Sequence, residues 1–217
     1  MQKLIQGIIE FRKNVQSGYR EAFGRLALKQ SPDALFIACS DSRVVPNTFA
    51  STNPGDLFVL RNVGNLVPPC GSDGFAEGDK SEAAAVEYSV LELNVKDIIV
   101  CGHSECGAMR SILDDRRKLL SPNLRKWLRF GDDALQRMKL GQSPDTKLSV
   151  TNQLSQLNVL LQMEHVQSYP FVQERVARGT LAVHGWWFEI ANADVFAYNK
   201  KQKRFVLIDN EVAVQHS

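Results

Sequence analysis

Three short apolar runs, each followed closely by polar or glycine residues, constrain the fold of this chain more than any other feature. They span residues 34–38, 57–60 and 98–101. Runs of this length that are apolar throughout are typical of strands buried on both faces, as in a parallel sheet. The third run leads through Gly102 into a helical pattern that ends near Leu113, which completes a strand-turn-helix unit. The sequence therefore predicts an α/β fold with a mostly parallel central sheet flanked by helices.

An amphipathic helix is predicted at the N-terminus. Its apolar side chains recur at spacings of three and four residues, at Leu4, Ile8, Phe11, Val15, Tyr19, Phe23 and Leu26. Gly18 is a point where this helix could bend or break. Either the rest of the chain or a partner subunit must cover the apolar side.

The remaining elements follow from the same periodicities. Helices are expected at 81–93, within 114–146 and at 150–166, and strands at 180–184, 194–198 and 204–208. Residues 64–80 are rich in glycine and proline and are expected to form a long connection near the active site.

Composition excludes several classes of partner. The net charge is only +2, and basic residues are interspersed with acidic ones, so no nucleic-acid partner is indicated. No stretch approaches the roughly 20 apolar residues of a membrane span, and the N-terminus lacks the pattern of a signal peptide. A cytoplasmic location is therefore expected, and with it reduced thiols at the four cysteines, Cys39, Cys70, Cys101 and Cys106.

Candidate metal ligands follow two of the predicted strands. Cys39 comes directly after the first apolar run, and His103 and Cys106 follow the third. Side chains at the carboxyl ends of neighbouring strands meet where open α/β sheets bind ligands. Two sulfurs and one nitrogen suit zinc, and three protein ligands leave the fourth position to solvent, as in catalytic sites. A buried cysteine is more often only a small apolar residue, so these three residues alone are weak support.

Further motifs give this pattern a family resemblance. They are Cys39-x-Asp41-x-Arg43, Arg61-Asn62-Val63-Gly64-Asn65, Glu87-Tyr88 and His103-x-x-Cys106, in that order. Together they resemble the β-class carbonic anhydrases, and specifically their plant-like branch, over nearly the whole chain. The resemblance implies one zinc ion per chain on Cys39, His103 and Cys106, and an Asp41–Arg43 dyad beside it. It also implies a substrate pocket formed by Gln30, Phe58, Val63, Tyr88 and Gly107.

The resemblance further implies an activity and an assembly. Zinc-bound hydroxide, oriented by Asp41, would attack carbon dioxide to give bicarbonate and a proton. The N-terminal helix would reach a second subunit, so that a homodimer or larger homo-oligomer combines residues of two chains in each pocket. We expect one domain, 1–217, with an N-terminal arm (1–30), a zinc-binding core (31–113) and C-terminal helices and strands (114–217).

Some relatives have an inactive form in which the aspartate occupies the fourth zinc position. Relatives with a bicarbonate-responsive switch carry tryptophan three residues before the first zinc cysteine, where this chain has Phe36. The open form is therefore expected here.

Two other functions remain open at this stage. A relative of the same fold could hydrolyse carbonyl sulfide or carbon disulfide, and a zinc site closed by a fourth ligand could belong to a non-catalytic binding protein. His165 and His184 are expected to be packed residues and not proton shuttles. Trp186, Trp187 and Phe188 are expected in the core or at a subunit contact.

Overall fold

A six-stranded sheet lies at the centre of the computed structural model, which describes residues 1–209. The strands are β1 (Ala34–Cys39), β2 (Leu57–Asn62), β3 (Asp97–His103), β4 (Ala182–Glu189), β5 (Asp194–Asn199) and β6 (Arg204–Leu207). Their order in the sheet is β2-β1-β3-β4-β5-β6. The first four strands of this order are parallel, and the last two pairings are antiparallel. The predicted fold class is confirmed.

Nine α-helices lie among the described residues. They are α1 (Gln2–Asn14), α2 (Gln16–Leu26), α3 (Pro46–Phe49), α4 (Ser81–Glu87), α5 (Gly107–Leu113), α6 (Pro122–Trp127), α7 (Asp132–Lys139), α8 (Val150–Gln167) and α9 (Pro170–Ala177). A π-helical segment, Tyr88–Glu92, extends α4, and short 3-10 turns occupy Arg116–Lys118 and Leu128–Gly131.

Successive residues of β1 and β3 alternate between the two faces of the sheet, as strand geometry requires. On one face, Leu35 and Ile98 pack with Val159 of α8 in the largest apolar cluster. On the other face, Phe36 and Cys101 pack with residues that include Phe188. Both central strands are therefore buried on both sides, which explains their unbroken apolar sequence.

Two predicted details were wrong. The break in the N-terminal helical region falls at Val15, where φ is −122°, and Gly18 lies inside α2. The strand expected at 180–184 is β4, which begins at Ala182 and continues to Glu189 because the aromatic residues near its end remain in the sheet. Residues 64–80 form the expected long connection between β2 and α4, and its first part is packed, since Leu66 and Val67 are fully buried.

The apolar residues of α1 and α2 are not covered by the rest of the chain. Ile5 is 52% exposed and Phe23 is 48% exposed, and neither helix has a buried residue. The apolar side chains that recur along α1 and α2 therefore remain largely exposed in a single chain. Among the described residues, no helix has both the length and the apolar character needed to cross a membrane.

Candidate metal centre

Two parallel strands bring the predicted metal ligands together. β1 ends at Cys39 and β3 ends at His103, while Cys106 is the residue before α5 and has extended backbone geometry. All three residues are buried, and their ligand atoms lie within 4.8 Å of one another. Within residues 1–209, no other histidine, cysteine or carboxylate residue joins a group of this kind. The predicted ligand set is therefore a spatial cluster.

The two cysteines are electrostatically coupled. A hydrogen bond from the Cys106 thiol lowers the pKa of Cys39 to about 4, and the same contact raises the pKa of Cys106 well above its ordinary value. Gly64 N–H also donates to Cys39 Sγ at 3.4 Å. Two thiolates this close repel each other unless a cation lies between them. The pair therefore suits a bound metal ion.

The His103 ring is oriented toward the same centre. Its Nδ1 lies 2.8 Å from the carbonyl oxygen of Ser104, which fixes the proton on Nδ1 and leaves the Nε2 lone pair free. Nε2 is fully buried and has no hydrogen-bond partner among the residues that the structure describes. Because buried polar atoms nearly always have a partner, this nitrogen fits a metal ligand.

Asp41 lies beside the centre and is held by Arg43. Arg43 Nε donates to Asp41 Oδ1 at 2.9 Å, and Nη2 donates to Oδ2 at 2.8 Å, which is a bidentate pair. The hydrogen bonds from Arg43 hold the pKa of Asp41 well below its usual range. Asp41 Oδ2 lies 4.0 Å from His103 Nε2. Arg43 Nη2 also donates to the carbonyl of Glu105 at 3.2 Å, so the dyad is tied to the ligand-bearing turn.

The five predicted pocket residues fall into two groups. Val63 precedes Gly64, whose N–H donates to Cys39 Sγ, and Gly107 follows Cys106. Both residues therefore lie beside the candidate metal centre. Gln30, Phe58 and Tyr88 form a separate cluster, in which Gln30 Nε2 donates to Tyr88 Oη at 3.5 Å and the two aromatic rings are 5.7 Å apart between centroids.

The second group lies at the other end of the sheet from the ligands. Phe58 pairs with Leu35 at the start of β1, whereas Asn62 pairs with Cys39 at its end. Four residues of strand separate these positions, which corresponds to about 13 Å. A single chain therefore does not bring the five residues into one pocket.

Comparisons with known proteins agree with this geometry. The family model described as carbonic anhydrase matches residues 34–195, which include the three ligands and the dyad. The β-carbonic anhydrase CcaA has a solved structure that superposes with a TM-score of 0.86 at 37% identity, covering 97% of this chain and 92% of that one. This chain belongs to the β-class carbonic anhydrases.

Further members of the family are similar over nearly the full length of this chain. A carbonic anhydrase of Synechocystis is 39% identical over 210 residues, covering 95% of this chain and 74% of that protein. A carbonic anhydrase of Helicobacter pylori is 35% identical over 210 residues, covering 95% of this chain and 94% of that protein. The structures of two tetrameric β-carbonic anhydrases from Sordaria macrospora include a chain with a TM-score of 0.77 at 30% identity, covering 90% of this chain and 95% of that one. As a member of this family, the chain is an enzyme of the carbonic anhydrase type.

A cavity of about 790 Å³ adjoins the metal centre of this β-class carbonic anhydrase. Its lining includes Ser40, the neighbour of Cys39, and Val63, together with Glu82 and Trp127. Trp127 Nε1 donates to the carbonyl of Val63 at 2.8 Å, so α6 holds the segment beside the centre. Burial raises the pKa of Glu82, whose Oε1 accepts from Asn62 at 3.4 Å. Sequence reasoning missed Glu82 and Trp127 because neither belongs to a motif.

The two other histidines of residues 1–209 occupy packed positions. His165 Nδ1 lies 2.8 Å from the carbonyl of Val67, and burial lowers its pKa. His184 Nε2 lies 2.7 Å from Asp97 Oδ1, at the start of β3 and so at the opposite end of that strand from His103. Both arrangements agree with the expectation of packed, hydrogen-bonded histidines.

Proposed function

We propose that this enzyme catalyses the reversible hydration of carbon dioxide to bicarbonate and a proton, and that it uses zinc. The observation that supports this most directly is the combination of a three-residue metal centre with an ionised carboxylate fixed beside it. Cys39, His103 and Cys106 would hold one zinc ion per chain. When bound, zinc supplies a Lewis acid that makes water a nucleophile near neutral pH.

Asp41 would orient the attacking water. Because the Asp41 carboxylate is ionised, its Oδ2 can only accept a hydrogen bond, and that acceptance turns a water lone pair toward the substrate carbon. Arg43 occupies both oxygens of this carboxylate in a fork, which opposes rotation of Asp41 onto the metal. The reaction would form one carbon–oxygen bond as one C=O π bond of carbon dioxide breaks and its electron pair moves to that oxygen. One O–H bond of the water breaks, and its proton leaves to solvent.

The substrate pocket would be completed by a second copy of the chain. The cluster of Gln30, Phe58 and Tyr88 is too far from the metal centre of its own chain, yet these residues offer one amide donor and two aromatic faces suited to a small apolar molecule. The exposed apolar surface of α1 and α2 supplies an interface for such a dimer. The tetrameric relatives from Sordaria macrospora are consistent with assembly into a homodimer or larger homo-oligomer.

Disruption of the N-terminal interface tests this assembly. The double variant Ile5→Glu with Ile9→Glu places two charges on the apolar face of α1, so we expect monomers in analytical ultracentrifugation and loss of carbon dioxide hydration, with zinc content retained. Gln2→Glu with Gln6→Glu adds the same charge at exposed polar positions of that helix and should leave assembly and rate unchanged. A fully active monomer would contradict the shared pocket.

A stopped-flow measurement of carbon dioxide hydration tests the function itself. We expect rapid hydration by the zinc-loaded enzyme and slower or no hydrolysis of carbonyl sulfide and carbon disulfide under the same conditions. Faster turnover of the sulfur compounds would assign the enzyme to that alternative substrate class. Retention of zinc without turnover of any of these substrates would instead indicate a zinc-stabilised binding protein.

A further inference from the structure

One face of α8 carries a line of polar side chains that the proposed mechanism does not use. Its members recur at spacings of three and four residues and are Asn152, Ser155, Asn158, Gln162 and His165. Asn158 is only 1% exposed and Gln162 is fully buried. Burial of an amide or hydroxyl group costs free energy unless the group is hydrogen-bonded. The hydrogen-bond partners of these side chains therefore explain how a buried helix face can carry them.

The first two members hold the turn that carries two metal ligands. Asn152 Oδ1 accepts from the backbone N–H of Glu105 at 2.8 Å. Ser155 Oγ donates to the carbonyl oxygen of His103 at 2.7 Å. The backbone on both sides of Ser104 is thereby fixed to α8.

The next members hold the segment that faces the third ligand. Asn158 Nδ2 donates to the carbonyl oxygen of Gly64 at 3.0 Å, and Gln162 Oε1 accepts from the backbone N–H of Val67 at 2.8 Å. Gln162 Nε2 donates to Asn158 Oδ1 at 2.9 Å. Because Oδ1 faces Gln162, the Nδ2 group of Asn158 faces Gly64. The amide orientation is therefore determined by the network.

Gly64 connects this network to the metal centre. Its carbonyl is held by Asn158, while its N–H donates to Cys39 Sγ at 3.4 Å. Gly64 has φ of +87°, and a Cβ there would lie 2.9 Å from Ala108 Cβ. The conformation of this glycine directs the N–H at the sulfur. Trp127 holds it from one side, through the carbonyl of Val63, and Asn158 holds it from the other, through the carbonyl of Gly64 itself.

We infer that Asn158 is a positioning residue for the metal centre, acting through Gly64 to maintain the N–H···S hydrogen bond that Cys39 accepts. This inference rests on the metal site proposed above. The hydrogen bond fixes the direction of the Cys39 sulfur relative to the other two ligand atoms. Outer partners of this kind typically change metal affinity by about 10–100-fold.

A substitution that removes the donor to Gly64, and with it the Oδ1 that accepts from Gln162, tests the inference. Asn158→Leu keeps the number and branching of the side-chain heavy atoms but cannot donate to Gly64, so we expect zinc affinity to fall about 10–100-fold in competition with a chromophoric chelator. In the cobalt-substituted protein, the thiolate-to-metal absorption band should shift. Gln156→Leu is the matched control, because Gln156 is 3% exposed on the same helix and its Oε1 has no hydrogen-bond partner among the described residues. Its zinc affinity and cobalt spectrum should match those of the unmodified protein.

A measurement on the unmodified protein keeps the inference testable if Asn158→Leu does not fold. In protein loaded with cadmium-113, the amide proton of Gly64 should show scalar coupling to the metal across the N–H···S hydrogen bond. Loss of this coupling in Asn158→Leu and its retention in Gln156→Leu are expected. Absence of the coupling in the unmodified protein, or unchanged zinc affinity in a folded Asn158→Leu variant, would overturn the inference. Failure of the unmodified protein to bind zinc or cadmium would instead contradict the metal centre itself.

Discussion

Replacement of His103 by alanine is expected to abolish carbon dioxide hydration together with zinc binding. The substitution removes the only nitrogen donor from a buried cluster of three candidate ligands. The two remaining cysteines are too few to hold a zinc ion firmly. The expected zinc content is far below one ion per chain by elemental analysis, and the stopped-flow rate should equal that of the uncatalysed reaction.

The matched control is His184→Ala. His184 lies beside Asp97 at the opposite end of β3, so its loss removes a histidine without touching the centre. This variant should retain zinc and at least most of its activity. A His103→Ala protein that kept one zinc ion per chain and hydrated carbon dioxide would refute the assigned ligand set.

Replacement of Asp41 by asparagine is expected to lower kcat/KM for carbon dioxide by about 10²-fold while zinc is retained. An asparagine can present its N–H₂ group to the reacting water, so the water loses the acceptor that orients it, and misorientation of this kind costs rates of that order. The measurement is stopped-flow hydration, normalised to zinc content. Since hydrogen bonds from Arg43 keep the pKa of Asp41 below its usual range, protonation of Asp41 should not set the pH dependence of the unmodified enzyme near neutral pH.

The chain contains a control for this variant with the same local geometry. Asp115 and Arg117 also form a bidentate pair two residues apart, at distances of 2.7 and 2.9 Å, but they lie away from the metal ligands on a 3-10 turn. Asp115→Asn should therefore leave the rate unchanged. If Asp41→Asn and Asp115→Asn had the same rate as the unmodified enzyme, Asp41 would be only a member of an ion pair and not a part of the mechanism.

Much of the fold and the metal centre could be predicted from local sequence. The unbroken apolar runs of β1 and β3 indicate burial on both faces, and parallel pairing then aligns their carboxyl ends. Cys39 and His103 are the last residues of those strands, so their proximity follows from strand pairing alone. The Asp41–Arg43 pair is equally local, since only Ser42 separates the partners.

Long-range packing decided what the sequence left open. The polar residues of α8 have the same spacing as its apolar residues Leu154, Leu157 and Leu161. Periodicity therefore does not show which part of the protein contacts the polar face of the helix. Only the packing of α8 against the sheet shows that Asn158 reaches Gly64, 94 residues away. The spacing of these polar residues was the signal that sequence reasoning passed over.

By itself, the sequence predicted most of the strands, the candidate metal ligands and the Asp41–Arg43 pair, because these depend on residues that are close along the chain or across one strand pairing. The tertiary structure decided two further matters. It separated Gln30, Phe58 and Tyr88 from the metal centre of their own chain, since the length of β2 lies between them. It also placed the polar face of α8 behind the ligands, because that contact depends on how a helix packs across the sheet, which no local pattern specifies.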